Sequence, residues 1–287
     1  MSAAAGRKRP YRGGGKGSRP RRVIVTGGSG GIGRSIVRRF LAEQAQVLNL
    51  DQAPLALRGR SAVRCRSLKV DLMDVEAIRA AFAEADSFFG GSPPDAAVLA
   101  AAVGANSHVL DATPEDADRL MAVNVRGTMI AAQEAARRMV SRGRGNIVVI
   151  TSISAQQGWA GEPLYCVSKA AQGSLVQCLA VELAPLGILV NGVGPGPVEA
   201  RSRRMSGNRA IPGILEHYLD RIPLGRLARP EEVAEAVWFL STTTYVTGQT
   251  LYVDGGFLAT GLAYIGPLRA AAARRARRAA GSRHRGR

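Results

Sequence analysis

The chain has 287 residues, 46% of them hydrophobic, and a formal net charge of +17. This length and composition suit a globular protein with a buried core, and no apolar run approaches the roughly 18 residues that span a bilayer. The N-terminus is basic but lacks the apolar stretch of a secretory signal. Because Cys65, Cys166 and Cys178 show no metal-ligand spacing, we expect three reduced thiols, no metal site and a cytoplasmic location.

The positive charge is concentrated at the two ends of the chain. Residues 1–22 and 268–287 each contain eight Lys or Arg and no acidic residue, so residues 23–267 carry a net charge near +1. The first segment is rich in Gly and Pro and is predicted to be disordered, and the second is an Arg- and Ala-rich tail. We interpret both as solvated tails. Their alternative role is nonspecific, salt-sensitive contact with nucleic acid.

Apolar runs and helical patterns alternate between the tails. Six strands are predicted, in RVIVTGG, QVLNLD, DAAVLAAA, GNIVVIT, GILVNGV and QTLYVDGG. Helices are predicted over 32–45, 74–85, 113–140, 163–184, 211–222 and 229–240, with caps at Asp74 and Thr113. Near-continuous apolar strands alternating with helices predict an α/β fold: a Rossmann-type, doubly wound parallel sheet with helices on both faces. No linker interrupts the pattern, so residues 23–267 are predicted to form a single domain.

A glycine-rich turn lies between the first strand and the first helix, where residues 26–33 read TGGSGGIG. Glycines let the backbone approach a pyrophosphate, and the helix N-terminus offers free N–H groups and a partial positive charge. The strand–turn–helix context therefore predicts a dinucleotide-binding cradle. Its predicted residues are Gly27, Ser29, Gly31, Ile32 and Gly33.

The second strand ends in a carboxylate, Asp51, 18 residues after Gly33. Such a carboxylate can accept hydrogen bonds from both hydroxyls of an adenosine ribose and would repel a 2′-phosphate. The neighbouring Gln52 supplies no compensating cation, so NAD(H) is predicted over NADP(H). Asp71 is a candidate contact of the adenine amino group. The alternatives are an exposed residue that closes a strand for Asp51, and a turn or cap residue for Asp71.

Tyr165 and Lys169 are four residues apart in a predicted helix and so share one of its faces. A phenol ionises near about pH 10, and an adjacent ammonium favours the phenolate and lowers that pKa. Such a tyrosine can exchange a proton with an alcohol or a ketone near neutral pH. Ser152, 13 residues before Tyr165, ends the preceding strand and could hold the substrate oxygen.

Seven motifs follow one another along the chain: TGGSGGIG, VDL at 70–72, VNVRGT at 123–128, TS at 151–152, YCVSK at 165–169, VNGVGPGPV at 190–198 and YVTGQTLYVDGG at 245–256. Each is common alone. Their joint order and spacing resemble the short-chain dehydrogenase/reductase family in its compact form. The resemblance extends from about Arg22 to Phe257 and leaves only the tails outside.

The resemblance implies a catalytic tetrad. Tyr165 would be the general acid/base, and Lys169 would lower its pKa and contact the nicotinamide ribose. Ser152 would orient the substrate oxygen, with Ser154 as the alternative for that role. Asn124, in the long helix, would hold a water in a proton relay through Lys169.

The resemblance also implies further cofactor contacts. Pro195 and Gly196 would shape the turn beside the nicotinamide ring, and Val198 would reach the carboxamide through its backbone. The remaining contacts are implied at Leu72, Ala100 and Ala101. The chain departs from the family where Leu99-Ala100-Ala101-Ala102 replaces the usual Asn-Asn-Ala-Gly, and where Ala200 replaces a threonine. These replacements concern cofactor affinity more than activity.

The predicted function is that of an NAD(H)-dependent oxidoreductase interconverting a secondary alcohol and its ketone. One alternative is a 3-oxoacyl-thioester or polyketide ketoreductase that uses NADPH. Another is a noncatalytic dinucleotide-binding regulator whose basic tails bind nucleic acid. An epimerase or dehydratase of nucleotide sugars would need a longer chain.

Two further expectations concern assembly and substrate. The family resemblance implies a homotetramer or homodimer paired through the two long helices, with an apolar stripe (Leu175, Val176, Leu179, Leu183) either on that face or packed on the sheet. Residues 197–224 are predicted to form a lid, whose Arg201, Arg203, Arg204 and Arg209 either face an anionic substrate or point to solvent. The residues expected to line the substrate end are Ser154, Gln157, Trp159 and Tyr218.

Overall fold

A computed structural model describes residues 21–57, 59, 63–199 and 214–260. Most of the two predicted basic tails lies outside these residues. So do Ala200 and the four arginines of the predicted lid, which are Arg201, Arg203, Arg204 and Arg209. The structure therefore describes the lid only at its two ends, 197–199 and 214–224.

The described residues form one parallel sheet of seven strands in the order β3-β2-β1-β4-β5-β6-β7. The strands are β1 (Arg22–Thr26), β2 (Gln46–Asp51), β3 (Cys65–Lys69), β4 (Ala96–Leu99), β5 (Gly145–Ile150), β6 (Ile188–Pro195) and β7 (Thr250–Val253). The predicted Rossmann-type fold is confirmed. Because β1 lies between β2 and β4, the strand order reverses there, and such a point opens a binding crevice at the carboxyl ends of the strands.

One strand, β3, was not predicted. It lies at the edge of the sheet, pairs with β2 and leaves most of its side chains partly or fully exposed. An edge strand of this kind carries no apolar run, and the polar sequence CRSLK therefore gave no signal.

Helices cover both faces of the sheet. They are α1 (Gly31–Ala42), α2 (Val75–Phe88), α3 (Pro114–Leu120), α4 (Thr128–Val140), α5 (Pro163–Leu183), α6 (Ile214–Arg221) and α7 (Pro230–Thr242). Both predicted caps are confirmed. The Asp74 carboxylate accepts from the backbone N–H groups of Glu76 and Ala77 at 2.9 and 3.0 Å. The Thr113 hydroxyl accepts from the Asp116 N–H at 3.1 Å.

The predicted helix over 113–140 is interrupted. A π-helical turn, Met121–Gly127, joins α3 to α4, and Asn124 lies in it. The Asn124 side chain points inward, where it accepts from the Val103 N–H (2.8 Å) and donates to the Val103 carbonyl (2.9 Å). Single π-helical turns inside α-helices occur frequently at functional sites.

Two apolar cores lie on opposite faces of the sheet. Alternate strand residues pack with α2, α4 and α5 on one face and with α1 and α7 on the other. Val176 of the predicted apolar stripe lies in the first core, and Leu179 and Leu183 pack against it. This part of the stripe therefore packs on the sheet, which was one of the two alternatives.

No described helix combines the length and apolar character needed to cross a membrane. In the same part of the chain, no group of three or more His, Cys, Asp or Glu side chains is placed to hold a metal ion. None of the three cysteines forms a disulfide, and burial raises the pKa of the Cys65 thiol to about 11.

The turn between β1 and α1 packs backbone against backbone. Gly27 has a φ of +71°, and a Cβ there would lie 2.6 Å from the Ala101 backbone. A Cβ on Gly33, in the first turn of α1, would overlap the Gly27 carbonyl oxygen. The turn therefore brings α1 and the end of β4 together at distances that only glycine permits at these two positions.

Replacing Gly33 by Ala tests this packing. Ala normally stabilises a helix interior relative to Gly by about 1 kcal/mol. At this position we expect the opposite, a loss of about 1–3 kcal/mol in the free energy of unfolding, because the methyl group displaces the turn. The control is Gly173→Ala in α5, where a Cβ would have nothing within 4 Å, and which should leave stability unchanged or raise it. Urea unfolding without added ligand measures both, and a Gly33→Ala variant as stable as Gly173→Ala would contradict the packing.

Candidate active site

The carboxyl ends of the strands open into a cleft of about 850 Å³. It extends from the glycine turn to the C-terminal side of β5 and β6. The predicted site residues that line it are Gly27, Ser29, Gly31, Ile32, Gly33, Asp51, Asp71, Leu72, Ala100, Ala101, Ser152, Ser154, Trp159, Tyr165, Lys169, Pro195, Gly196, Val198 and Tyr218. Two predicted residues lie outside the lining, the fully buried Asn124 and the part-exposed Gln157.

The glycine end of the cleft is held by a buried amide that was not predicted. Asn49, in β2, accepts from the Gly28 N–H at 2.9 Å and donates to the hydroxyls of Ser29 (3.1 Å) and Ser67 (2.9 Å). Its signal in the sequence was a polar residue within the apolar strand QVLNLD. Because every one of these contacts fixes the turn or the strand beside it, Asn49 positions the cradle.

Asp51 lies next to the same turn. One carboxylate oxygen accepts from the Ser29 N–H at 2.9 Å and the other from the Ala53 N–H at 2.9 Å. Among the described lining residues the basic ones are Arg119 and Lys169. Arg58 and Arg60 fall outside the described part of the chain. Asp71 closes its own turn by accepting from the Met73 N–H at 2.8 Å.

The segment after β4 is braced although it lacks the usual asparagines. The Ala100 N–H donates to the Thr26 carbonyl at 3.1 Å, and the Ala101 N–H lies 3.3 Å from the Thr26 hydroxyl. Asn124 holds the next residue, Val103, through both of its backbone groups. The residues present thus fit a dinucleotide: a glycine turn at the N-terminus of α1, closed on its far side by small side chains and backbone.

Tyr165 and Lys169 lie on one face of α5 and are both buried. The Lys169 ammonium lies 5.6 Å from the centre of the Tyr165 ring. It donates to the Ile150 carbonyl at 2.8 Å and to the Gln172 side-chain oxygen at 2.7 Å. Because burying a charge costs free energy unless hydrogen bonds replace water, these contacts stabilise the ammonium where it stands.

The two candidate serines are coupled to each other. Ser152 follows β5 and begins a short 3₁₀ turn, Ile153–Ala155. Its hydroxyl accepts from the Ser154 N–H at 3.1 Å and donates to the Ser154 hydroxyl at 3.1 Å. Both side chains are buried and line the cleft, so both serines stay candidates for contact with the substrate oxygen.

Gln172, which sequence reasoning missed, lies between Lys169 and Asn124. It is fully buried, and its side-chain N–H donates to the Asn124 backbone carbonyl at 2.6 Å and to the Thr128 hydroxyl at 3.0 Å. The family resemblance implied that Asn124 and Lys169 are linked through a water. In this chain the Gln172 amide links the same two groups. The Asn124 side chain instead donates to the Ser168 hydroxyl at 2.9 Å.

Aromatic rings form the substrate end of the cleft. The Trp159 ring stacks on Phe257 at 5.5 Å and meets Tyr218, in α6, edge-on at 5.6 Å. The Trp159 indole N–H is buried and finds no hydrogen-bond partner within the described residues. Tyr252 packs on the same cluster. Burial raises the pKa of its phenol, against the lowering effect of a hydrogen bond with Gln156.

The turn after β6 closes the cleft beside these rings. The Gly196 N–H donates to the Val253 carbonyl at 3.0 Å, and Val198 pairs with Ala228 in an isolated bridge. Pro195, Gly196 and Val198 are therefore tied to β7 and to the segment before α7, which holds them at the mouth of the site.

Comparisons with known proteins agree with this architecture. A family model described as "Enoyl-(Acyl carrier protein) reductase" matches residues 27–258. L-xylulose reductase of Bos taurus is 37% identical over 245 residues, covering 84% of this chain and 97% of the relative. The 3-oxoacyl-[acyl-carrier-protein] reductase of Aquifex aeolicus is 30% identical over 242 residues, covering 81% of this chain and 95% of the relative.

The fold is likewise shared with solved structures. The short chain dehydrogenase of Leptospira borgpetersenii, solved with bound NAD+, superposes with a TM-score of 0.75 at 28% identity and covers 83% of this chain and 93% of that one. Family model, relatives and structure all match over the part of the chain that forms the sheet and the cleft. The chain belongs to the short-chain dehydrogenase/reductase family of oxidoreductases.

Proposed function

We propose that this protein interconverts a secondary alcohol and its ketone and uses NAD(H) in preference to NADP(H). The observation that carries the proposal is the buried Tyr165–Lys169 pair of α5, placed beside Ser152 in a cleft that begins at a glycine turn. A binding module has no need of a phenol held against a buried ammonium, so this arrangement favours catalysis over the noncatalytic regulator.

The cofactor is expected along the carboxyl ends of the strands. Gly27, Gly31 and Gly33 would hold the pyrophosphate at the N-terminus of α1, and Asp51 would accept from the ribose hydroxyls. A bound nicotinamide dinucleotide supplies the hydride donor or acceptor of the reaction. Ala102, where the family usually has glycine, also lines the cleft.

The proton is handled by side chains of this chain. In oxidation Tyr165 takes the proton of the alcohol, and in reduction it gives a proton to the ketone oxygen. The Lys169 ammonium favours the phenolate and so lowers the pKa of Tyr165 toward neutral pH. When substrate binds, the Ser152 hydroxyl turns its single proton from Ser154 to the substrate oxygen and fixes that oxygen near the phenol, and the Ser154 hydroxyl then donates to Ser152.

The substrate end supports a compact substrate that carries hydrogen-bond acceptors. Trp159 offers an apolar ring and a buried N–H without a partner in the described residues, and a buried N–H of this kind normally finds one. A hydroxylated ketone fits this combination, in agreement with a relative named L-xylulose reductase. The second candidate, a 3-oxoacyl thioester, is favoured by the relative named 3-oxoacyl-[acyl-carrier-protein] reductase. Nicotinamide absorbance over a panel of both substrate classes separates the two.

Replacing Tyr165 by Phe tests the general acid/base. Turnover should fall at least about a hundredfold, because the phenol oxygen carries the proton, while NADH affinity, measured by fluorescence titration, stays within about twofold. The control is Tyr245→Phe, at a residue that is 95% exposed, which should keep full activity. Retention of more than about a few per cent of turnover by the Tyr165→Phe variant would remove Tyr165 from this role.

Replacing Asp51 by Ala tests the cofactor preference. The wild type should have a higher kcat/KM with NADH than with NADPH. In the variant the ratio of these two values should fall at least about tenfold, because the repulsion of a 2′-phosphate is removed. Asp71→Ala is the control. It removes a carboxylate from the same edge of the sheet and should change both cofactors alike. A wild type that works better with NADPH would overturn the preference.

Assembly into a homodimer or homotetramer stays a prediction. Apolar side chains exposed on the two long helices could form the contact, among them Met129 of α4 and Val167 and Val181 of α5, the last of which is 78% exposed. Light scattering should give a mass above that of one 30.2 kDa chain, and Val181→Glu should lower it. Val109→Glu, at a residue 64% exposed outside the helices, is the control and should leave the mass unchanged. A monomeric wild type would contradict the assembly.

A further inference from the structure

The Gln172 side chain is placed where a fully buried amide must satisfy both of its ends. It lies three residues after Lys169 on α5 and is inaccessible to solvent. The Asn124 backbone carbonyl, 2.6 Å from its nitrogen, can only accept a hydrogen bond. The Lys169 ammonium, 2.7 Å from its oxygen, can only donate one. These two partners fix the orientation of the amide without ambiguity.

The amide oxygen is one acceptor that locates the Lys169 ammonium. Another is the Ile150 carbonyl at the end of β5, at 2.8 Å. Hydrogen bonds to a charged group are roughly twice as strong as those between neutral groups, and they matter most where water is excluded. With Ile150 on one element and Gln172 anchored to the π-helical turn, the ammonium is held from both sides at 5.6 Å from the Tyr165 ring centre.

We propose that Gln172 is a positioning residue of the reaction: its side-chain amide, anchored on the Asn124 carbonyl, holds the Lys169 ammonium in place beside Tyr165. The inference rests on the proposed function in one respect, the assignment of Tyr165 as the group that exchanges the proton. Gln172 itself does not line the cleft and contacts it through Lys169, which does.

The groups around Lys169 determine the direction in which the loss of Gln172 should shift the pKa of Tyr165. The titratable groups near Lys169 along the chain are Glu162, which precedes α5, and Tyr165 and Cys166 within it. β5 and the π-helical turn place backbone carbonyls around Lys169 and Gln172, and α4 places the Thr128 hydroxyl there. None of these groups titrates near neutral pH. A firmly placed ammonium favours the phenolate, so loosening it raises the pKa of Tyr165.

The test replaces Gln172 by Leu, which has similar bulk and no acceptor. We expect the pKa of Tyr165 to rise by about one unit. Near-ultraviolet absorbance of tyrosinate measures it, with the Tyr165→Phe titration subtracted to remove the other tyrosines. This readout needs neither substrate nor turnover. In alcohol oxidation, which requires the phenolate, kcat should fall about tenfold near neutral pH, and the pH at which it reaches half its maximum should rise equally.

The matched control is Thr128→Val. It removes a hydrogen bond from the same buried amide but leaves the acceptor of Lys169 in place, so the Tyr165 titration should stay where it is in the wild type. A network that acted only through stability would lower the melting temperature in both variants and move the titration in neither. That result, or equal shifts in both variants, would overturn the proposal.

A second variant keeps the test decisive if Gln172→Leu fails to fold. Gln172→Glu retains an acceptor for Lys169 but adds a negative charge beside it, which offsets the field of the ammonium at Tyr165. Its phenol should titrate at higher pH than in the wild type, and an unchanged titration would overturn the proposal. Wild-type protein that shows the Tyr165 titration but no turnover with any alcohol or ketone would refute the proposed function, and the titrations would still report whether Gln172 places Lys169 beside Tyr165.

Discussion

Burial of the Lys169 ammonium is the constraint on which the rest of the site depends. A cation that is 1% exposed must exchange its water for acceptors at the right distance, or it loses its charge. The end of β5 supplies one acceptor and α5 itself supplies another, and the second is fixed in turn by the π-helical turn. Three elements are therefore joined around one charge, beside Tyr165.

The cofactor end of the cleft is held together mainly by backbone contacts, whereas side chains hold the end that contains Lys169. Gly27 meets the main chain of Ala101, and Thr26 holds Ala100 and Ala101 through their N–H groups. The side chains of residues 99–102 contribute little to this junction. On the cleft side they only need to be small. Leu-Ala-Ala-Ala can therefore stand where the family usually has Asn-Asn-Ala-Gly, and Asn124 braces the following residue, Val103, from the π-helical turn.

Structural features that depend on residues close in sequence could be predicted, and features that depend on a distant partner could not. The inner strands, the caps at Asp74 and Thr113 and the glycine turn depend on neighbours within a few residues. Strand β3 was missed because an edge strand has little to bury. The π-helical turn hardly disturbs the apolar period of the helix around it. Asn49 was missed because its partners lie 18 to 21 residues away along the chain, and Gln172 because its anchor, the Asn124 carbonyl, lies 48 residues away.

Asn124 supports the site through two separate groups, its side chain and its backbone carbonyl. Its side chain braces the segment after β4 and contacts Ser168, whereas its backbone carbonyl receives Gln172. Mutational scanning, which exchanges side chains and keeps the main chain, would therefore register only the first of these tasks. The second is probed by substitution at position 172, the side chain that this carbonyl receives, so the tolerance of position 124 understates how much of the site that residue supports.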